Sequence, residues 1–149
     1  MEQKQFVGFI LGKEEYGIDI MDVREVIDYR EITKIPQLPE SIEGVIDLRG
    51  DVIPIIDLRK KFKIEPKKGE EKILIAKLDD RIIGLVVDAV TEVFQIEKIL
   101  TPPKTIKAVA KEYLTGVAKK DDKLILVIDV KKILEDFEKK AIEEGVPIK

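Results

Sequence analysis

Carboxylates are the side chains in this chain most able to do acid–base or metal chemistry, and they fall into two patterns. Asp57 and Asp129 each end an apolar run, Ile53-Pro54-Ile55-Ile56 and Ile125-Leu126-Val127-Ile128, and each leads into a basic segment. Asp79-Asp80 and Asp121-Asp122 are adjacent pairs between apolar stretches. The 149-residue chain has no Cys, His, Trp or Asn, and Ser41 is its only serine. Disulfides, Cys/His zinc sites and Cys–His or Ser–His–Asp catalysis are therefore excluded. An enzyme made from this chain would depend on carboxylates, lysines, tyrosines or a carboxylate-bound metal.

None of these patterns requires chemistry. A side chain that ends a strand and accepts the first backbone N–H groups of a helix accounts for both Asp57 and Asp129. Their duplicate placement points to a structural cause. The Asp pairs suit hairpin tips, and a calcium loop would need further oxygen ligands at alternating positions, which are absent. No phosphate-cradling glycine motif occurs, and no acid/base pair is identifiable, so no cofactor, no metal and no catalysis are expected. Lys60, Lys61, Lys63, Lys67 and Lys68 read as a solvated face.

Charged residues make up 38% of the chain with a net charge of −3, which gives no broad basic surface. Five Phe and three Tyr are too few for an aromatic stacking platform, so nucleic acid is not an expected partner. The longest apolar runs, such as Ile82-Ile83-Gly84-Leu85-Val86-Val87, fall far short of the ~18 residues of a membrane span, and Met1–Gln5 leads into no signal-peptide core. The expectation is a cytoplasmic protein with no direct membrane insertion. Abundant Glu and Lys with few thermolabile residues is a thermophile's composition.

Arg49 stands apart. The apolar strand Ile42–Leu48 turns at Arg49-Gly50 into a second strand, Val52–Ile56. An arginine beside an apolar residue at a tip suits a protein contact, and it equally suits a solvated turn. Around it the chain reads as strands: Phe6–Leu11, Tyr16–Ile20, Val23–Ile27, Lys72–Leu78, residues 81–96, Tyr113–Ala118 and Leu124–Ile128. Pro54 implies a sheet edge or a bulge. Leu58–Lys63 reads as a short helix, residues 65–70 as a linker, Pro102-Pro103 as a break, and residues 130 to about 144 as a helix.

The two halves match. Gly44-Val45 recurs as Gly116-Val117, and Val52 to Lys60 as Leu124 to Lys132, at an offset of 72; Gly17, Val23, Glu25 and Val26 recur as Gly84, Val90, Glu92 and Val93, at 67. Strand alternation does not dictate Gly, Asp and Glu, so their registration indicates a pseudo-repeat. The turns diverge: the second half carries Lys119-Lys120-Asp121-Asp122-Lys123, an ordinary polar tip. An all-β fold is expected, with two packed five-stranded barrels of SH3-like or OB-like size and a C-terminal helix, closed because open edges are a liability.

Four blocks carry a resemblance to a known family: residues 14–26, Glu43–Arg59, residues 84–93 and Tyr113–Gly116. Together they resemble the CheW family of chemotaxis coupling proteins over about residues 4–140. The resemblance implies one domain of two β-barrel subdomains, from sequence halves of roughly 4–65 and 70–137, with residues 141–149 as a tail. Whether the barrels exchange strands is left open. It implies a non-enzymatic adaptor, monomeric when free and recruited to membrane arrays. The implied partners are the cytoplasmic tips of transmembrane chemoreceptors and the regulatory domain of the histidine kinase CheA. Carried over by position, Val23, Glu25, Gly44, Arg49, Val90 and Val93 face the receptor in a groove between the barrels, and Ile20 faces the kinase. Residues 97–111 align with no part of the family pattern.

Overall fold

Strands here carry apolar residues at consecutive positions. Consecutive positions face opposite ways, so both faces of each strand need cover. The computed structural model describes residues 4–96, 98–101 and 113–134. It contains β1 (Lys4–Leu11), β2 (Glu14–Asp19), a 3-10 turn (Ile20–Asp22), β3 (Val23–Asp28), β4 (Ile42–Leu48), β5 (Asp51–Asp57), α1 (Leu58–Lys61) and β6 (Lys72–Leu78). These are followed by β7 (Arg81–Val87), β8 (Ala89–Ile96), β9 (Ile99–Leu100), β10 (Leu114–Lys120), β11 (Lys123–Ile128) and α2 (Val130–Ile133). A six-stranded sheet runs β8-β1-β2-β11-β10-β9, and a five-stranded sheet runs β3-β6-β7-β5-β4. The six-stranded sheet unites strands from the two ends of the chain, and the five-stranded sheet is built from the continuous middle segment between Val23 and Val87.

Alternate residues of one strand enter different clusters. Ile53, Ile55, Ile73, Ile75 and Val86 fill the inside of the five-stranded sheet, where β4 contributes Ile46 and the far edge β3 contributes Ile27. Both edges sharing one cluster means that the sheet curls round it. Phe6, Phe94, Ala118, Ile125 and Val127 do the same in the other sheet. The intervening residues Ile56, Leu74, Ala76 and Leu85 meet Val7, Phe9, Tyr16 and Ile18 in a third, larger cluster, the seam between the sheets. Aromatic rings run through that seam. Phe9 stacks on Tyr16 at 5.7 Å, Tyr16 meets Phe62 at 5.7 Å, and Phe62 stacks on Tyr113 at 5.2 Å. Phe62 is the C-cap of α1, so the helix after β5 inserts its ring between two tyrosines of the other sheet's strands and flank.

The pseudo-repeat is a repeat of register. Ile55 opposes Gly84 in the parallel β5–β7 ladder, and Val127 opposes Gly17 in the parallel β11–β2 ladder. Val23 pairs with Ala76 as Val90 pairs with Phe9. Thr33 bridges Val45 as Leu100 pairs with Val117. Every pair maps to its mate through the two sequence offsets. Asp57 Oδ1 accepts from Arg59 N at 2.9 Å and Asp129 Oδ1 from Lys131 N at 2.9 Å, the caps expected of them.

The all-β class stands, with several departures from expectation. The hydrogen-bonded ladders are open rather than closed, and one has six strands rather than five. β5 is interior, between β7 and β4, so Pro54 lies at neither an edge nor a bulge. Pro54 opposes Val45, whose N–H and carbonyl both bond to Thr33 on the far side, and the β7 ladder begins only at Ile55. No ladder bond is forfeited there. Residues 81–96 are two strands of different sheets, divided at Asp88. β2 stops at Asp19, whose side chain accepts from Met21 N and starts the 3-10 turn at Ile20. The helix expected from Val130 to about Glu144 is a single turn that stops at Ile133, because Leu134 is extended (φ −90°, ψ 134°). Pro102-Pro103, residues 135–144 of that expectation and the tail 141–149 lie outside the described residues.

Phe62→Ala removes the ring that ties α1 to the opposite sheet and should lower stability by about 3–5 kcal/mol in a denaturant titration. A loss under about 1 kcal/mol would remove the ring from the seam. Burial, reinforced by the Glu14 charge, pushes the Tyr16 hydroxyl from 10.0 up to about 12. The folded state holds this proton more tightly than the unfolded chain does. Its stabilisation is therefore complete below pH 10 and is lost as pH rises towards about 12. Ultraviolet titration should show a phenol that ionises only near pH 12, absent from Tyr16→Phe.

Candidate macromolecular interface

The β4–β5 hairpin turns through Arg49 and Gly50 with φ of 52° and 93°, the two-residue geometry that matches strand twist. Asp47 Oδ1 accepts from Gly50 N at 2.8 Å and braces the turn. Arginine is an unusual occupant of a left-handed position. The corresponding turns place Asp79 (φ 56°) and Asp121 (φ 55°) there. Its cause lies across the sheet, where Arg49 Nη2 pairs with Glu25 of β3. β3 and β4 are the two edges of the five-stranded sheet, so this pair laces its mouth. The hydrogen bond from Arg49, with its charge, holds the Glu25 carboxyl below the ordinary carboxylate range. The same bond holds the guanidinium above its own usual value. The Arg49 side chain stays 64% exposed.

Val23 opens β3 and Val90 lies near the start of β8; both are half-buried against the seam at equivalent places of the repeat. Val93 is exposed on β8, as its counterpart Val26 is on β3. Gly44 sits at a register shift in β4, with φ 151°. A Cβ there would lie 2.1 Å from the Thr33 carbonyl oxygen, and one on Gly116 would lie 2.6 Å from that of Leu100. Close approach of a flanking segment is the physical need met at Gly44. Ile20 opens the 3-10 turn and packs partly on the seam. The fold thus joins Glu25 to Arg49 and sets Val23 and Val90 on one shared core. Val90 and Val93 belong to the edge of the other sheet.

Two features escaped the reading of the residues. The tip of β10–β11 is more than polar: Lys120 pairs with Glu92 of β8, reaches Glu15 at 3.5 Å and lies 4.8 Å over the Phe94 ring. Burial would lower this ammonium, but hydrogen bonding and charge from Glu92 and Glu15 hold it above the usual lysine range. It laces the second mouth as Arg49 laces the first. The available signal was the match of Glu25 to Glu92, each with a basic residue at the facing tip. The second feature is Arg59, which is 4% exposed. Its Nε and Nη2 donate to the two oxygens of Asp57 at 2.9 and 3.0 Å, and Nη1 lies 2.8 Å from Glu71 and 3.2 Å from Asp88. Burial pulls this guanidinium down, and the bonds and charge of Asp57, with those of Glu71 and Asp88, more than offset it. The sequence signal was an Asp interrupting the apolar run 82–90.

An open cavity of about 790 Å³ is lined by Tyr29, Thr33, Glu43 and Asp57 among others. Two of its three carboxylates are committed, Glu43 to Lys60 at 2.6 Å and Asp57 to Arg59, and the third, Glu31, is exposed. Among the described residues no group of acidic side chains is arranged to hold a metal ion.

The chain matches the CheW-like domain over residues 5–138. It is 36% identical to the chemotaxis protein CheW of Klebsiella aerogenes over 144 residues, 94% of this chain and 87% of that protein. It is also 36% identical to CheW of Helicobacter pylori over 140 residues, 91% of this chain and 85% of that one. The crystal structure of the scaffolding protein TtCheW from Thermoanaerobacter tengcongensis superposes with a TM-score of 0.81 at 43% identity, covering 90% of this chain and 94% of the other.

Gly44→Ala must push a methyl into the Thr33 carbonyl and should cost at least about 1–3 kcal/mol in urea unfolding. Gly50→Ala meets no atom within 4 Å and should cost only about 1–2 kcal/mol, from its positive φ, less than the loss at Gly44. Equal small losses at both positions would detach Gly44 from the packing of the 32–33 segment.

Proposed function

The chain belongs to the CheW-like domain family, and we propose from that premise how it acts as a chemotaxis adaptor, coupling chemoreceptors to the histidine kinase CheA. The work is done by holding partners and not by transforming a substrate. One domain of two barrel-like units presents a groove that takes the tip of a receptor helical hairpin. Val23, Glu25, Gly44, Arg49, Val90 and Val93 serve that side: Arg49 and the exposed Val93 through contact, Gly44 through the backbone it shapes. Ile20, at the turn between the sheets, serves the side that meets the regulatory domain of CheA. No helix among the described residues is long and apolar enough to cross a membrane. The protein works in the cytoplasm and reaches the membrane array through its partners.

The observation that carries this reading is the Arg49 turn. A left-handed arginine, tied at the mouth of a curled sheet yet largely exposed, is a preorganised contact. Preorganisation lowers the ordering cost of binding, and arginine is enriched among residues that dominate interfaces. Each interface alone is weak on this view, and simultaneous engagement supplies avidity.

Reconstitution of the chain with CheA and receptor tips should raise kinase activity above that of the kinase alone. No change in any receptor combination would reject the coupling role. Arg49→His should weaken co-sedimentation with receptor while the melting temperature stays nearly unaltered, because an exposed pair contributes little to folding. A large thermal shift would make Arg49 a folding residue instead.

A further inference from the structure

Among the described residues the backbone passes between the two sheets at two places: β2 reaches β3 through Ile20–Asp22, and β7 reaches β8 through Asp88 alone. The pseudo-repeat makes these crossovers equivalent, with Met21 the counterpart of Asp88. They are built oppositely. Met21 is 74% exposed and Asp88 is 3% exposed. Asp88 Oδ2 accepts from Gly12 N at 2.8 Å, in the β1–β2 turn of the six-stranded sheet. Its Oδ1 accepts from Arg59 Nη1 at 3.2 Å, on the helix that follows β5 of the other sheet, and from Lys67 N at 3.1 Å. Arg59 is fixed in turn by the fork of Asp57 and by Glu71. The counterpart of Arg59 is Lys131, whose exposed ammonium lies 3.8 Å from Asp79.

We propose that Asp88, clamped by Arg59, is the positioning residue that fixes the angle between the two sheets, and that this one-sided clamp transmits a change at the receptor face to the kinase face. The inference rests on the adaptor reading above. A single-residue joint would swing about its own φ and ψ. Here any swing must pull a buried carboxylate off donors that belong to both sheets, where lost hydrogen bonds to charge are most costly. Among the described residues the Met21 crossover carries no corresponding clamp. A scaffold pinned at one joint responds to force at its groove as a lever and not as two independent lobes.

Asp88→Asn is the informative change. An amide has one acceptor oxygen, so it satisfies the Gly12 side or the Arg59 side but not both. Arg59→Lys is a second route, since one ammonium cannot span Asp57, Glu71 and Asp88 together. Lys131→Met at the unclamped end is the control. The chain has no cysteine, so spin labels at Lys77→Cys and Lys119→Cys, one on each sheet, report the angle without any partner. The distance distribution should be narrow in the parent and in Lys131→Met and broader in Asp88→Asn and in Arg59→Lys; unchanged widths would overturn the proposal. With partners, binding to receptor tips alone and to the CheA regulatory domain alone should stay within about threefold, while kinase activation in the three-way complex falls roughly tenfold. Full activation by either clamp variant, or a loss of single-partner binding in step with activation, would equally overturn it. Failure of the parent protein to activate kinase would instead reject the adaptor reading, and the distance arm would still judge the clamp.

Discussion

Ile55 faces the inside of one curled sheet and its neighbour Ile56 faces the seam against the other. That alternation, repeated along β5, β6, β7 and β11, is the constraint on which the rest of the molecule depends. A strand apolar on both faces cannot lie at a surface, so each sheet must both enclose a core and lean on a second sheet. The seam is the largest of the three clusters because every double-faced strand contributes half its side chains to it. The aromatic column through Phe9, Tyr16, Phe62 and Tyr113 runs through that seam.

On this nearly symmetric scaffold, the differences between the halves are concentrated in turns and crossovers. Both sheet mouths are laced by an ion pair, Arg49 with Glu25 and Lys120 with Glu92. The first leaves its cation largely exposed, with 64% of the side chain accessible; the second draws its cation in to 21%. Both sheet-to-sheet crossovers occupy equivalent places, yet one is a buried carboxylate clamp and the other an exposed methionine. A CheW-like scaffold therefore has two similar bodies with different chemistry at their ends, as a molecule that must tell one partner from another requires.

Much of this was legible in the residues. Turn-flanked β-branched runs located most strands, since local alternation and turn chemistry are set by neighbours in sequence. Asp57 and Asp129 were readable as caps because capping is local. Apart from the Asp19 cap that ends β2 one residue early, the misses were non-local. Pro54 implied an edge or a bulge, but its missing donor is harmless in an interior strand whose facing partner bonds to Thr33 instead. Lys120 looked like a solvated tip residue because nothing near it in sequence reveals Glu15 and Glu92. Asp88 lay within a stretch read as one strand, and the single acidic residue in that apolar run proved to mark the passage from one sheet to the other.

The chain alone determined that its fold is β, that it is duplicated at offsets of 72 and 67 residues, and that Cys- or His-based chemistry is closed to it. Composition, alternation and internal matching decide those matters without reference to distance in space. Tertiary structure decided which strands share a sheet, that each sheet borrows from both halves, and that Arg59 is buried against Asp88 while Lys131 stays exposed beside Asp79. Such choices depend on the closing of loops and the burial of charge, energies that exist only once remote segments have been brought together.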